Sequence, residues 1–280
     1  MIDYKYLCLQ TCDIAKQAGE FIRTEAAAFS SKSVEVKGLH NFVTYVDKGS
    51  EKLIIDRLHE ILPEAGFIAE EGTNSTRGER FNWVIDPLDG TTNFIHGLPP
   101  FAVSIGLIEN NIPVLGVVYE INLDECFYAW KDAPAYLNGK EIHVSDKAKV
   151  QDSLIATGFP YYDFHKMRPY INCLEYFLQN SHGVRRLGSA AIDLAYVACG
   201  RFETFYEYGL QPWDVAGGAM ILQQAGGQLS DFSGGDDYIF GKELVAANSA
   251  VFDEFLGIVQ KFLKGGGIAN VAERAPDVLK

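Results

Sequence analysis

The chain has 280 residues, 48% of them hydrophobic and 22% charged, a balance that excludes disordered and fibrous classes and allows a large buried core. Its formal net charge of −13 argues against a broad basic face, so no nucleic-acid partner is expected. Five cysteines without a Cys-x-x-Cys pair signal neither a disulfide framework nor a thiolate zinc site, and acidic residues break up the N-terminal segment where a signal peptide would be apolar; with no run of about 18 apolar residues, a cytoplasmic protein without a membrane partner is expected.

In chain order, the apolar spacing of Leu7, Ile14, Ala18, Phe21 and Ile22 predicts an amphipathic helix from about Tyr4 to Ala27. Val34 to Lys37 reads as a short extended piece ending at Gly38. A second helix begins after Thr44 as N-cap, carries Leu53, Ile54, Leu58, Ile61 and Leu62 on one face, and stops at Pro63. Phe67 to Ala69 is a strand running into Glu70-Glu71-Gly72, followed by a polar loop from Asn74 to Arg80. The apolar run Phe81 to Ile85 delivers Asp86. Ala102 to Ile108 and Pro113 to Tyr119 form a hairpin through Asn110-Asn111, and Cys126 to Trp130 is a third strand. Strands this close in sequence predict an antiparallel sheet in the N-terminal half. The second half alternates: helices at Met167–Gln179, Ser189–Cys199, Trp213–Ala225 and Val251–Leu263, with strands at Phe202–Glu207 and Leu244–Ala247. One domain over 1–264 is expected, its halves meeting near 148–149, with 265–280 a polar tail.

Glu70, Glu71, Asp86, Asp89 and Asp214 share a position type: each sits where an apolar strand ends or a helix begins. Carboxylates there reach the rim of a sheet, and hard cations such as Mg²⁺ take oxygen ligands of this kind. Asp86 and Asp89, three apart across the rigid Pro87, can aim both carboxylates and the Leu88 carbonyl at one point. Gly90-Thr91-Thr92 then reads as a helix start, where backbone N–H groups receive anions. Each element also has a structural reading. Asp47, three after Thr44, completes a helix start; Asp214 after Pro212-Trp213 is a first-turn acid; Glu70-Glu71 is solvated loop; Asp-x-x-Asp-Gly is a turn.

The string from Trp83 to Phe94, with Glu70-Glu71 upstream and Trp213 to Gly218 downstream, resembles the inositol monophosphatase family over about residues 4–263; Ala102–Gly106, Gly188–Ala191 and Ala225–Gly227 also fit. The resemblance implies an α+β fold, a layered αβαβα sandwich with a second, mixed sheet in the C-terminal half. It implies a lithium-sensitive phosphoric monoester hydrolase with two or three Mg²⁺ per site, commonly a homodimer. By position, Glu70, Asp86 and the Leu88 carbonyl would hold the first metal, Asp86, Asp89 and Asp214 the second, and Glu70 a weaker third. Asp47 and Thr91, with help from Glu70, would orient a metal-activated water for in-line attack. Gly90 and Thr91 would hold phosphate. Leu88, Asp89, Gly188, Ser189, Ala190, Glu207 and Asp214 would face the substrate. The small substrate is expected to be a phosphorylated polyol or sugar, with myo-inositol monophosphate favoured by Thr92-Asn93-Phe94. Relatives in the superfamily act on 3′-phosphoadenosine 5′-phosphate, fructose 1,6-bisphosphate, histidinol phosphate or NADP, and those substrates stay open, as does a metal-dependent binding protein without catalysis. Hydrolases with an aspartate nucleophile use Asp-x-Asp-x-Thr, one residue shorter than the spacing here. Ala69 departs from the glycine that often precedes the paired glutamates. Arg185 and Arg186 adjoin the pocket segment and read first as a solvated or ion-paired strand end, with a substrate contact or a subunit interface as the alternatives.

Overall fold

A computed structural model describes residues 2–28, 34–38, 41–73 and 76–264. The tail expected over 265–280, and residues 74–75 of the expected polar loop, lie outside the described residues. Helix α1 spans Tyr4–Ala28 and α2 spans Tyr45–Ile61. Between them, strands β1 (Val34–Gly38) and β2 (Asn41–Thr44) pair antiparallel. A sheet of seven strands follows, in the spatial order β3 (Gly66–Ala69), β4 (Phe81–Asp89), β5 (Ala102–Glu109), β6 (Ile112–Glu120), β7 (Glu125–Trp130), β8 (Ala135–Leu137) and β9 (Lys140–Ile142). Every neighbouring pair is antiparallel except β3 and β4 at the edge, which run parallel.

The second sheet is mixed, in the order β11 (Gly183–Arg185), β10 (Leu154–Thr157), β12 (Thr204–Tyr208), β14 (Glu243–Asn248), β13 (Gly227–Ser230), with β10 parallel to both of its neighbours. Helices α4 (Met167–Asn180) and α7 (Phe252–Leu263) cover its outer face, while α5 (Ala190–Ala198) and α6 (Pro212–Gln224) fill the layer between the two sheets. Three buried clusters follow this layering. Leu7, Ile22 and Leu58 of α1 and α2 pack on Trp83 and Ile105 of the first sheet; Leu194 and Met220 fill the middle layer; Phe177 and Phe255 pack on Tyr206 outside the second sheet. The arrangement is the αβαβα sandwich. No helix among the described residues is long and apolar enough to cross a membrane.

Local chemistry accounts for the elements that matter here. β4 is buried at all nine positions because helices cover both faces of the sheet, so it reads as a continuous apolar run rather than an alternating one. The β5–β6 hairpin turns on Asn110 and Asn111, with φ of 51° and 65°, conformations asparagine tolerates better than other non-glycine residues. α6 lies unusually close to the first sheet. A Cβ on Gly116 of β6 would come within 2.2 Å of the Gly217 carbonyl oxygen, and one on Gly217 within 2.8 Å of Ser104 Oγ. Bare backbone on both sides lets the start of α6 reach the end of β4.

Candidate metal and phosphate site

β4 carries its motif through a break. Its register with β5 slips between Asp86 and Asp89, and Pro87, which has no N–H to donate, sits in the bulge. Asp86 and Asp89 therefore lie inside the strand rather than beyond it. The Leu88 N–H donates to Asp86 Oδ1 at 3.0 Å, and Ser50 Oγ of α2 donates to the Pro87 carbonyl at 3.0 Å. Gly90, at φ 96°, then turns the chain into the short helix α3 (Thr91–Ile95).

Asp86, Asp89 and Asp214 each place a carboxylate oxygen within 4.8 Å of the other two. Asp214 stands at the third position of α6, where it accepts the Gln211 N–H at 2.6 Å. Asp89 Oδ2 accepts from Ser189 Oγ at 2.7 Å and from the Ala191 N–H at 2.8 Å. Burial pushes all three acids up. Asp86 is raised well above the ordinary range by desolvation and by the charges of Glu70, Asp89 and Asp214. Asp214 is raised well above it by desolvation and then by Asp89. Asp89 is raised to about 6 by desolvation, against the opposing hydrogen bonds from Ser189 and Ala191. Three desolvated carboxyls that repel one another are stable together only with shared protons or a cation. All the converging donors are oxygens, which suits a hard divalent cation. Glu70 stands outside this tight trio, yet its charge reaches Asp86.

Asp47 is buried and binds in two directions. Oδ2 accepts the Thr44 N–H at 2.8 Å and the Thr44 hydroxyl at 2.6 Å, which closes the capping box of α2; Oδ1 accepts Thr91 Oγ at 2.9 Å. Thr91 Oγ also lies 3.0 Å from the Leu88 carbonyl, so its single proton has two acceptors. Desolvation raises Asp47, with the Thr44 and Thr91 hydrogen bonds opposing.

Beside the trio opens a cleft lined by Asp89, Gly188, Ser189, Ala190, Glu207 and Asp214 together with Gly158, Tyr161, Arg186 and Asp193. Desolvation pushes Glu207 up to about 8, and the Arg186 guanidinium pulls against it. Asn93 donates to both the Pro100 and Leu187 carbonyls at 2.8 Å and so ties α3 to the Gly188 loop. Of the two arginines, Arg186 faces the cleft and donates to Tyr161 Oη at 3.2 Å, while Arg185 bonds the adjacent Val184 carbonyl.

Three residues of the site escaped the sequence reading. Glu51 of α2 is fully buried and accepts the Glu71 N–H and the Thr73 N–H, each at 2.7 Å, which pins the loop that carries Glu70. An acid three before Ile54 and seven before Leu58, on the helix's apolar face, was the available signal. Gly158 has none. Asp193, four residues after Ser189, carries the signal of a lone acid in an otherwise apolar predicted helix.

The fold and the acid trio together define an αβαβα protein with a buried acidic cluster between β4 and the start of α6. The chain belongs to the inositol monophosphatase family, whose pattern it matches over residues 3–264. It is 37% identical over 246 residues to a putative Nus factor SuhB of Neisseria meningitidis serogroup B, covering 88% of this chain and 94% of the relative. It is 36% identical over 248 residues to an inositol-1-monophosphatase of Mesorhizobium japonicum, covering 88% and 93%. The crystal structure of the extragenic suppressor protein suhB from Bartonella henselae aligns with a TM-score of 0.85 at 35% identity, covering 91% of this chain and 99% of that one. The family is one of phosphatases and generally metal-dependent.

Proposed function

We propose that the chain is a Mg²⁺-dependent phosphatase of small polyol phosphates, with myo-inositol monophosphate the favoured substrate. The observation that carries this reading is the buried trio Asp86, Asp89 and Asp214 set beside the Asp47–Thr91 pair. Family membership alone does not carry it, because similar chains bear both enzyme and Nus-factor names.

Asp86, Asp89, Asp214, the Leu88 carbonyl and Glu70 would hold the cations, which when bound supply charge for the phosphoryl and leaving oxygens and lower the pKa of a water. The protein's own residues supply the rest. Thr91, between Asp47 Oδ1 and the Leu88 carbonyl, orients the attacking water, and Asp47 receives its proton. Burial raises Asp47, which makes it a stronger base than a solvated aspartate. The Gly90 and Thr91 amides seat the phosphate, while Gly188, Ser189, Ala190 and Glu207 face the alcohol. One guanidinium, Arg186, stands against two carboxyls in the cleft, Glu207 and Asp193, and leaves no surplus positive charge for a second phosphate. That disfavours fructose 1,6-bisphosphate and 3′-phosphoadenosine 5′-phosphate.

The test is phosphate release from a panel of esters with Mg²⁺, with and without Li⁺. The expected outcome is fastest release from myo-inositol 1-phosphate, and a fall of at least about a hundredfold in Asp89→Asn and Asp214→Asn, since loss of an outer partner alone typically costs about 10–100-fold. Full activity in either variant sinks the site assignment. No release from any ester favours a metal-dependent binding protein instead.

A further inference from the structure

Asp193 is the acid of this cleft that the reaction above leaves without a task. It lies near the start of α5, 1% exposed. Its Oδ1 is shut off from solvent and has no hydrogen-bond partner among the described residues. A buried carboxylate oxygen left unpaired is costly and is rarely retained without a partner that comes and goes. Asp193 also lines the cleft, on the same wall as Ser189 and Ala190 and in company with Glu207.

The surroundings are built around these two carboxyls. A Cβ on Gly158 would come within 2.0 Å of Glu207 Oε2, so any larger residue there would displace that carboxyl. Arg186 draws on both acids and is held in turn by Tyr161. Asp193 is not one of the three acids that converge for a cation. What remains in the cleft is a pair of acceptors beside one guanidinium. A neutral molecule rich in hydroxyl donors satisfies that set; an anion meets two repelling carboxyls, and an apolar group leaves both unpaired.

We propose that Asp193 is a substrate-binding residue that accepts a hydrogen bond from a hydroxyl of the leaving alcohol, and that Asp193 and Glu207 together select alcohols bearing several hydroxyls. This rests on the phosphatase reading above. The competing account is a first-turn acid that only favours the helix dipole. Such an acid would stabilise the fold and be blind to the alcohol.

The experiment compares the purified wild-type chain with Asp193→Ala and Asp193→Asn on two esters, myo-inositol 1-phosphate and p-nitrophenyl phosphate. The two share the phosphate and differ in alcohol hydroxyls. Asp193→Ala is expected to lower kcat/KM on the inositol ester about tenfold more than on the p-nitrophenyl ester, the order of one lost hydrogen bond. The change falls chiefly on KM. Asp193→Asn, which keeps the size and one acceptor oxygen, is expected to fall between, and its thermal midpoint shows that the fold survives. Calorimetric titration with free myo-inositol, in Mg²⁺ and inorganic phosphate, is expected to weaken in the same order. Equal losses on both esters, or none on either, overturn the proposal. A wild-type chain that cleaves p-nitrophenyl phosphate but neither cleaves nor binds the polyol also overturns it and leaves the phosphatase reading standing. If no ester is cleaved, the phosphatase reading fails, and the calorimetry decides alone: inositol binding absent, or unweakened by Asp193→Ala, overturns the proposal.

Discussion

Asp47 uses one oxygen to cap α2 and the other to hold Thr91. Asp214 likewise closes the start of α6 while meeting Asp86 and Asp89. The structural reading of these acids is therefore compatible with the proposed chemical one: a carboxylate fixed by a helix start has its direction set before any ligand arrives. Glu51 plays the same part at one remove, since its two oxygens take the N–H groups of Glu71 and Thr73 and so position Glu70. Glu51→Ala is expected to raise the Mg²⁺ concentration for half-maximal phosphate release about tenfold, the usual scale for an outer partner of a metal site, while kcat at saturating Mg²⁺ stays within about threefold. A Mg²⁺ titration of both proteins checks this; an equal loss at every Mg²⁺ concentration would mean that Glu51 serves stability alone. Thr44 with Asp47 and Asp86 with Leu88 were legible from local spacing, whereas the Asp47–Thr91 pair, 44 positions apart, came only from the family resemblance. Glu51 and Gly158 act on residues 20 and 49 positions away; an acid on the apolar face of α2 marks the first, and no local pattern marks the second.

At the scale of elements, the approach of α6 to the first sheet decides where Asp214 lies. Gly116 and Gly217 meet backbone to backbone, and Gly218 takes Leu194 of α5 on its other side, where a Cβ would come within 2.6 Å. Gly116→Ala must push α6 outward against the second sheet. Overpacking of this kind typically costs about 1–3 kcal/mol. Denaturant unfolding is expected to show that loss, and a Mg²⁺ titration is expected to show weaker activation, because the start of α6 carries Asp214. Unchanged Mg²⁺ dependence with lowered stability would separate the packing from the site. The long elements were readable because burial imposes a period: α1, α2, α5, α6 and α7 fall within a few residues of their expected bounds. The strands β8, β9, β10, β11 and β13 are three or four residues each, too short to show alternation. One of them had a signal. Asn138-Gly139, with φ of 48° and 80°, is the two-residue turn that joins β8 to β9. The parallel pairing of β3 with β4 was not readable, since it depends on which sheet edge receives the chain after the loop.

Across the whole molecule, acids dominate the charge and several of them are buried at the join of the sheets. Glu207 is raised from 4.5 to about 8 and Asp89 from 3.8 to about 6, both chiefly by desolvation; Asp86, Asp193 and Asp214 move the same way. A raised carboxyl holds its proton longer in the folded chain than in the unfolded one, so the folded state binds more protons between the two values. Stability then falls as pH rises, by up to about 1.4 kcal/mol per pH unit for each such group. For Asp89 the loss runs from about pH 4 to 6, and for Glu207 from about 4.5 to 8. In a chelator, the free energy of unfolding is expected to decline steadily from pH 5 to 8, and Glu207→Gln is expected to make the upper part of that decline shallower. Excess Mg²⁺ should oppose the trend, because the cation binds the ionised carboxylates and releases their protons, so its stabilisation grows with pH. Denaturant unfolding at four pH values, with and without Mg²⁺, measures both slopes. A metal-free chain that grows more stable from pH 5 to 8 would contradict the burial of these acids, and a Mg²⁺ effect independent of pH would place the cation somewhere other than on them.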